Sequence, residues 1–370
     1  LEADRMLAVA YLKSRPPQLE KAAAYAQSFF DGGQSVPRTR DRASLLQGEI
    51  ALTQGKLEQA EQWIEHVPDE SDFVNERQMM RGRLALVRAN QLEESARETD
   101  DEEAKKSAER LYAKSIELLR DALSHHASGQ SLSSQASYLI GTAFRRQGEL
   151  AAAQDQFFRT RKRFYDSPEA MVASLEEAEV LLELGRLDEG SEALQRTAKY
   201  VTSPGRFANP YVNSKQVIER VEHGFELLYE KERFDLAATL AKSLGPLVGG
   251  DVAAQLRADA LHRWGNHLHQ RALAASDEDA DQLQQEGRKK YRLAGYAFAE
   301  LARQRYITRE YPTALWRSGE SFNLGRDYEN ATIVFNEYLE TEAQTERPLV
   351  LIALTKAYLS LNMLEEALTT

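Results

Sequence analysis

The chain has 370 residues, too many for one compact core, and a net charge of −11. That balance argues against a general nucleic-acid surface, which needs an excess of Lys and Arg along one face. With no cysteine, disulfides, thiolate nucleophiles and thiolate metal sites are excluded, and no apolar run reaches the roughly 18 residues of a membrane span.

Ala, Leu, Glu, Gln and Arg dominate and only 10 prolines occur, so helix is favoured throughout. Taken in order, the elements repeat one design. Residues 1–30 carry a weak version of it, with Ala22 as the small residue of a second helix. "LLQGEIALTQGKLEQAEQWI" then places Gly48, Gly55, Leu57, Ala60 and Ile64 at helical spacing around a turn. The next unit, 74–125, is stretched by the charged segment 90–112, with an acidic run from Asp100 to Glu103 and its small residue at Ser115. We expect a lengthened hairpin with a solvated tip there, the functional alternative being an acidic handle for a basic partner. His125 and His126 close it, placed to oppose the C-terminal dipole of their helix.

"YLIGTAFRRQGELAAAQDQFF" restores the pattern with Gly141, Phe144, Gly148, Leu150, Ala153 and Phe157, and "LEEAEVLLELGRLDEGSEAL" repeats it with Ala178, Gly185, Leu187 and Gly190. Glu176 and Glu177 are adjacent, so they point to different faces and serve ion pairs rather than acid–base chemistry. "VTSPGRFANPYVNS" brings Pro204, Gly205 and Pro210 together, and predicts a long loop dividing an N-terminal lobe, 1–203, from a C-terminal lobe, 204–370. "LGPLVGGDV" is a shorter break, with Asp251 expected to cap the following helix.

In "ALHRWGNHLHQRAL", His262 and His269 share a helix face but lie about 10 Å apart at 1.5 Å per residue, too far for one metal ion. Neither a metal nor any other cofactor is expected. Segment 274–293 is a second stretched, charged hairpin, acidic from Asp277 to Asp281. "WRSGESFNLGRDYENATIVFNEYL" gives the clearest unit: Gly319 and Phe322 on a first helix, Gly325 as its stop, Asp327 as the next cap, then Tyr328, Ala331, Phe335 and Tyr338. The small residues should let paired backbones approach to roughly 8 Å, with the large ones beside that contact. "ALTKAYLSLNMLEEAL" ends the chain within a repeat, which implies a longer natural protein or an end that self-associates.

The small residues of the second helices are Ala22, Ala60, Ser115, Ala153, Gly190, Ala237, Ala294, Ala331 and Ala367. They recur mostly every 36–38 residues, with longer intervals before Ser115, Ala237 and Ala294. These units resemble tetratricopeptide repeats, in which small residues and aromatics alternate at fixed positions of a helix hairpin. Gly319, Phe322, Ala331 and Phe335 meet that pattern, and Tyr338 replaces its usual closing alanine. The resemblance implies an all-α, right-handed superhelical solenoid of about nine antiparallel hairpins, and a non-enzymatic scaffold for protein–protein interaction.

In that family the first helices line a concave groove that binds a protein or peptide partner. Carried over, the groove holds Arg42, Glu49, Arg83, Tyr138, Thr142, Arg145, Arg146 and Glu179. It continues with Glu222, Glu226, Tyr229, His262, Asn266 and His269, and ends at Trp316, Glu320 and Asn323. Its charge runs from a basic middle near Arg145 to an acidic stretch near Glu226, with Tyr138, Tyr229 and Trp316 as aromatic anchors. The family's clamp for a C-terminal carboxylate is not matched, since Leu45, Glu49, Met79 and Arg83 stand where Lys and Asn would be needed. No nucleotide-binding, nucleophile-elbow or zinc-protease motif is present. The alternative function is a regulatory or substrate-holding module of a larger envelope or enzyme complex. The last full repeat also resembles those of bacterial envelope proteins of this family, and periplasm and cytoplasm are both open as locations.

Overall fold

The computed structural model describes residues 1–124, 129–201, 203–341 and 345–370, and among these it contains helices, turns and no strand. They fall into two compact units, Leu1–Leu184 and Gly185–Thr370. The first contains α1 (Glu2–Leu12), α2 (Leu19–Gly33), α3 (Pro37–Thr53), α4 (Leu57–Glu65), α5 (Val74–Thr99), α6 (Glu102–Ser124), α7 (Gln130–Arg146), α8 (Leu150–Arg163) and α9 (Pro168–Glu183). In the second are α10 (Leu187–Tyr200), α11 (Ser214–Glu230), α12 (Phe234–Ala241), the single turn α13 (Gly245–Val248), α14 (Gly250–Ala274) and α15 (Asp277–Gln304). It closes with α16 (Tyr311–Leu324), α17 (Tyr328–Leu339), α18 (Arg347–Ser360) and α19 (Leu364–Thr369).

Within the first unit each helix packs on its chain neighbour, and α3, α5, α7 and α9 also touch one another in succession. The odd-numbered helices therefore form one layer and the even-numbered ones a second, as expected when hairpins stack in one direction. In the second unit α14 to α19 pack in the same consecutive way, and α16 also touches α18. The small residues predicted to set the register are buried from Ala22 to Ala331, and only Ala367, in the short last helix, is half-buried.

Six turns share one geometry. Gly55, Gly148 and Gly185 take left-handed φ values of 75°, 77° and 74°, and Glu232, Arg326 and Asn362 take 55°, 54° and 61° at the equivalent place. Each stands two residues before a helix that opens with Leu, Phe or Tyr. The left-handed residue lets the chain reverse while satisfying carbonyls at the end of the preceding helix. In the clearest repeat this moves the stop one residue beyond its expected place. Gly325 keeps a helical φ of −73°, and the reversal occurs at Arg326. Gly325 is needed for space instead, because a Cβ there would lie 2.7 Å from Arg292 Cγ and 3.1 Å from the Arg288 carbonyl of α15. Asp327 does cap α17, accepting from the Asn330 amide. Asp251 does not cap α14, which starts at Gly250; it lies in the first turn, 3.4 Å from Arg305.

The glycine notches also work differently from the expected backbone approach. A Cβ on Gly141 would lie 2.6 Å from the Phe157 ring, and one on Gly319 would lie 2.4 Å from the Phe335 ring. Gly265 receives the Tyr291 ring at 2.7 Å in the same sense. Each glycine is thus a seat for an aromatic side chain of the partner helix, and the ring fills the space that two bare backbones would have closed.

The stretched hairpins are continuous helices. α5 and α6 reverse at Asp100, whose φ is 52°, and Asp101 Oδ1 then accepts from the amides of Glu103 at 2.9 Å and Ala104 at 3.2 Å. Both long hairpins are tied by a tyrosine on their second helix. Tyr112 donates to Glu93 at 2.6 Å and lies 2.9 Å from the Asn90 side-chain amide, and Tyr291 donates to Asn266 at 2.7 Å. The Pro/Gly segment lies inside the second unit as a 3-10 turn, Pro204–Arg206, followed by non-helical chain up to the Asn213–Gln216 capping box. His125 and His126 lie outside the described residues.

Candidate functional site

The first helices of the hairpins carry the residues expected to meet a partner. In the first unit, Glu49 on α3 lies 3.8 Å from Arg83 on α5. Tyr138 on α7 is only 9% exposed and rests against Phe157, its ring centroid 6.0 Å away, so it serves the core more than the face. Thr142 donates to the Tyr138 carbonyl at 3.2 Å, an in-helix bond. Arg146 is exposed.

Arg145 is committed to α9. Its guanidinium donates to Glu176, to Glu179 at 2.7 Å and to Glu183. Burial pulls its pKa down, but Glu176 and Glu179 outweigh that and hold it above the ordinary arginine value. Among the described residues the Arg145 charge is thus matched within the fold by carboxylates of α9. Glu177, next to Glu176, points the other way and pairs with Arg161 of α8 at 2.7 Å, as adjacent positions on a helix require.

The second unit gathers α11, α14 and α16. Spacing along α14 puts Asp259, His262, Arg263 and Asn266 within two turns. Arg317 on α16 binds Asp259 at 2.6 Å and lies over the Phe298 ring, 4.4 Å from its centroid. His262 Nδ1 lies 3.0 Å from Ser321 Oγ. Ser321 gives its own proton to the Arg317 carbonyl at 2.7 Å, so Oγ accepts from His262 Nδ1–H and the tautomer is fixed. Burial pulls the His262 pKa down to about 4, and the cations Arg317 and Arg263 add to that, so the imidazole is neutral at pH 7.

Tyr229 completes the group from α11. Its ring meets Phe225 edge-on at 4.8 Å, and the Arg263 guanidinium lies over it, 4.9 Å from the centroid. The hydroxyl is buried and makes no hydrogen bond among the described residues. Burial, and then the charge of Asp259, raise its pKa above the usual phenol value. Glu320 is half-buried on α16, and burial likewise raises its pKa.

The remaining expected residues are more scattered. Asn266 is taken up by Tyr291, Trp316 leans on Phe335 with centroids 5.8 Å apart, Glu226 and His269 are exposed, and Asn323 is half-buried. Asp259, Arg263, Arg317 and Ser321 were not anticipated. Their signal was present on α14, where Asp259 and Arg263 bracket His262, but the link to α16 spans 58 residues and has no local mark. Among the described residues, no group of three His, Asp or Glu is arranged to hold a metal ion, and no helix is long and apolar enough to cross a membrane.

A family model described as tetratricopeptide repeat matches residues 107–160 and 138–205. No curated protein sequence matches the chain. Among solved structures, the P58(IPK) tetratricopeptide repeat domain is 16% identical, over 98% of this chain and 98% of its own, with a TM-score of 0.25. The structure of Naa15/Naa10 bound to HypK-THB is 13% identical over 99% of this chain and 62% of the matched one, under two thirds of its length, with a TM-score of 0.27. A monomeric mutant of IFIT1 with m7Gppp-AAAA is 12% identical over 96% of this chain and 81% of its own, with a TM-score of 0.30. Likenesses at these TM-scores carry no argument about function.

Proposed function

We propose that the chain is a tetratricopeptide repeat protein acting as a non-enzymatic scaffold that binds a protein or peptide partner on the faces of its first helices, a reading supported by the family-model match over residues 107–160 and 138–205. The family serves protein–protein interaction in general and is typically non-catalytic. The observation that carries the reading is the buried, unpartnered Tyr229 hydroxyl under Arg263. Leaving such a group unpaired costs about 1–3 kcal/mol, which a partner carbonyl or carboxylate would recover on binding. Arg263 is exposed and can follow the same acceptor. Asp259–Arg317 and His262–Ser321 hold α14 and α16 in place beside it.

The test pairs affinity with stability. A photo-crosslinking residue at Asn266 identifies the partner, and its affinity is then measured by calorimetry for the wild type and Tyr229→Phe. We expect Tyr229→Phe to weaken binding about tenfold, equivalent to ~1.4 kcal/mol, while leaving the melting temperature unchanged or higher. Equal affinity for the two proteins would remove this face from the binding surface.

A further inference from the structure

The first unit carries a separate cleft of about 510 Å³, bounded by Leu123 of α6, Ser137 of α7 and the C-terminal half of α8. Phe158 and Phe164 line it together with Arg159, Lys162 and Arg163; Arg159 is paired with Asp155 at 2.8 Å, and Phe164 is buried. The floor is closed to ligands by its own bonds. Gln156 Nε2 donates to Ser137 Oγ at 2.9 Å, and Ser137 Oγ and Thr160 Oγ1 lie 2.7 Å apart. Recognition there is left to the apolar walls and the charged rim.

Two features of this cleft suit it to a ligand. Lys162 and Arg163 make no ion pair among the described residues, whereas Arg161 on the same turn is matched to Glu177. Phe158, which lines the cleft, is 41% exposed. A cation in the last turn of a helix is favoured by the macrodipole, and Lys162 and Arg163 lie over the Phe158 and Phe164 rings, 5.9 Å and 5.3 Å from the centroids. Phe158 nonetheless keeps an exposed face. The chain as a whole has a charge of −11, so this cationic, aromatic-walled cleft is set against its background.

We propose that the α8 cleft is a second docking site, distinct from the first-helix faces, for an acidic peptide segment that inserts one large apolar side chain between Phe158 and Phe164. The volume suits one or two side chains, not a folded domain. The rim cations pair with flanking Asp or Glu, which steers association and makes it salt-dependent.

The probe is a fluorescein-labelled twelve-residue peptide with one central Phe flanked by Glu, followed by fluorescence polarisation on the full chain. We expect saturable binding that weakens at least tenfold with Lys162→Glu plus Arg163→Glu, and weakens when salt rises from 50 to 300 mM. Phe158→Ala, at an exposed position, is the second variant and should weaken binding if the charge reversal disturbs folding; circular dichroism reports on that. A peptide with Lys in place of Glu should not bind, and Tyr229→Phe should leave the affinity unchanged. Absent binding, equal binding by the Lys peptide, or equal affinity for Phe158→Ala overturns the proposal. So does capture of phosphatidylserine vesicles when the peptide is not bound, which would make the patch a lipid-facing surface.

Discussion

At the residue scale, His262 links packing to pH. Its imidazole is neutral in the fold because burial and the Arg317 and Arg263 charges disfavour the cation, and among the described residues its hydrogen bond is donation from Nδ1 to Ser321. The folded pKa of about 4 lies below the unfolded value of 6.5. The unfolded chain therefore binds more protons between those values, so stability is fully present above pH 6.5 and is lost as pH falls toward 4. Urea unfolding at pH 7 and pH 4.5 should show the wild type losing about 2 kcal/mol more than His262→Gln. Equal losses would mean that His262 is not buried as described. From the sequence, His262 is expected on a helix face lining the groove. The acceptor that fixes its tautomer sits on another hairpin, 59 residues away, where periodicity carries no information.

At the element scale, the α7/α8, α14/α15 and α16/α17 hairpins depend on the fit of a ring over a glycine. Gly319 is the tightest such seat, and even a methyl group would meet the Phe335 ring, which is itself fully buried. Gly319→Ala should therefore destabilise the protein by about 1–3 kcal/mol, read as a lowered urea midpoint. An unchanged midpoint would show that the ring moves freely. The offset from glycine to aromatic was legible, because Gly141 with Phe157 and Gly319 with Phe335 have the same separation. That the ring enters the notch was not legible, since spacing fixes which faces meet and not which atoms fill the contact. The displaced stop at Arg326 has a related cause. Glycine signals both a left-handed turn and a need for space, and sequence alone does not separate the two.

On the scale of the whole molecule, two compact units are built from the same hairpin, and in each the helices pack mainly on their neighbours in the chain. The alignment of small residues at second helices anticipated this, and the burial of Ala22 through Ala331 follows from it. Charge on the first-helix faces was less readable. The list of side chains suggested a basic middle, but Arg145 is consumed by carboxylates of α9 that lie more than 30 residues further along. Long-range ion pairs decide which charges remain for a partner, and only the folded arrangement reveals them. Stability is passed between adjacent helices rather than through one shared core. Hydrogen exchange of Gly319→Ala against the wild type tests this most directly. Protection should fall in α15 to α18 and stay unchanged in α10 to α12 of the same unit, and a uniform loss across that unit would contradict the account.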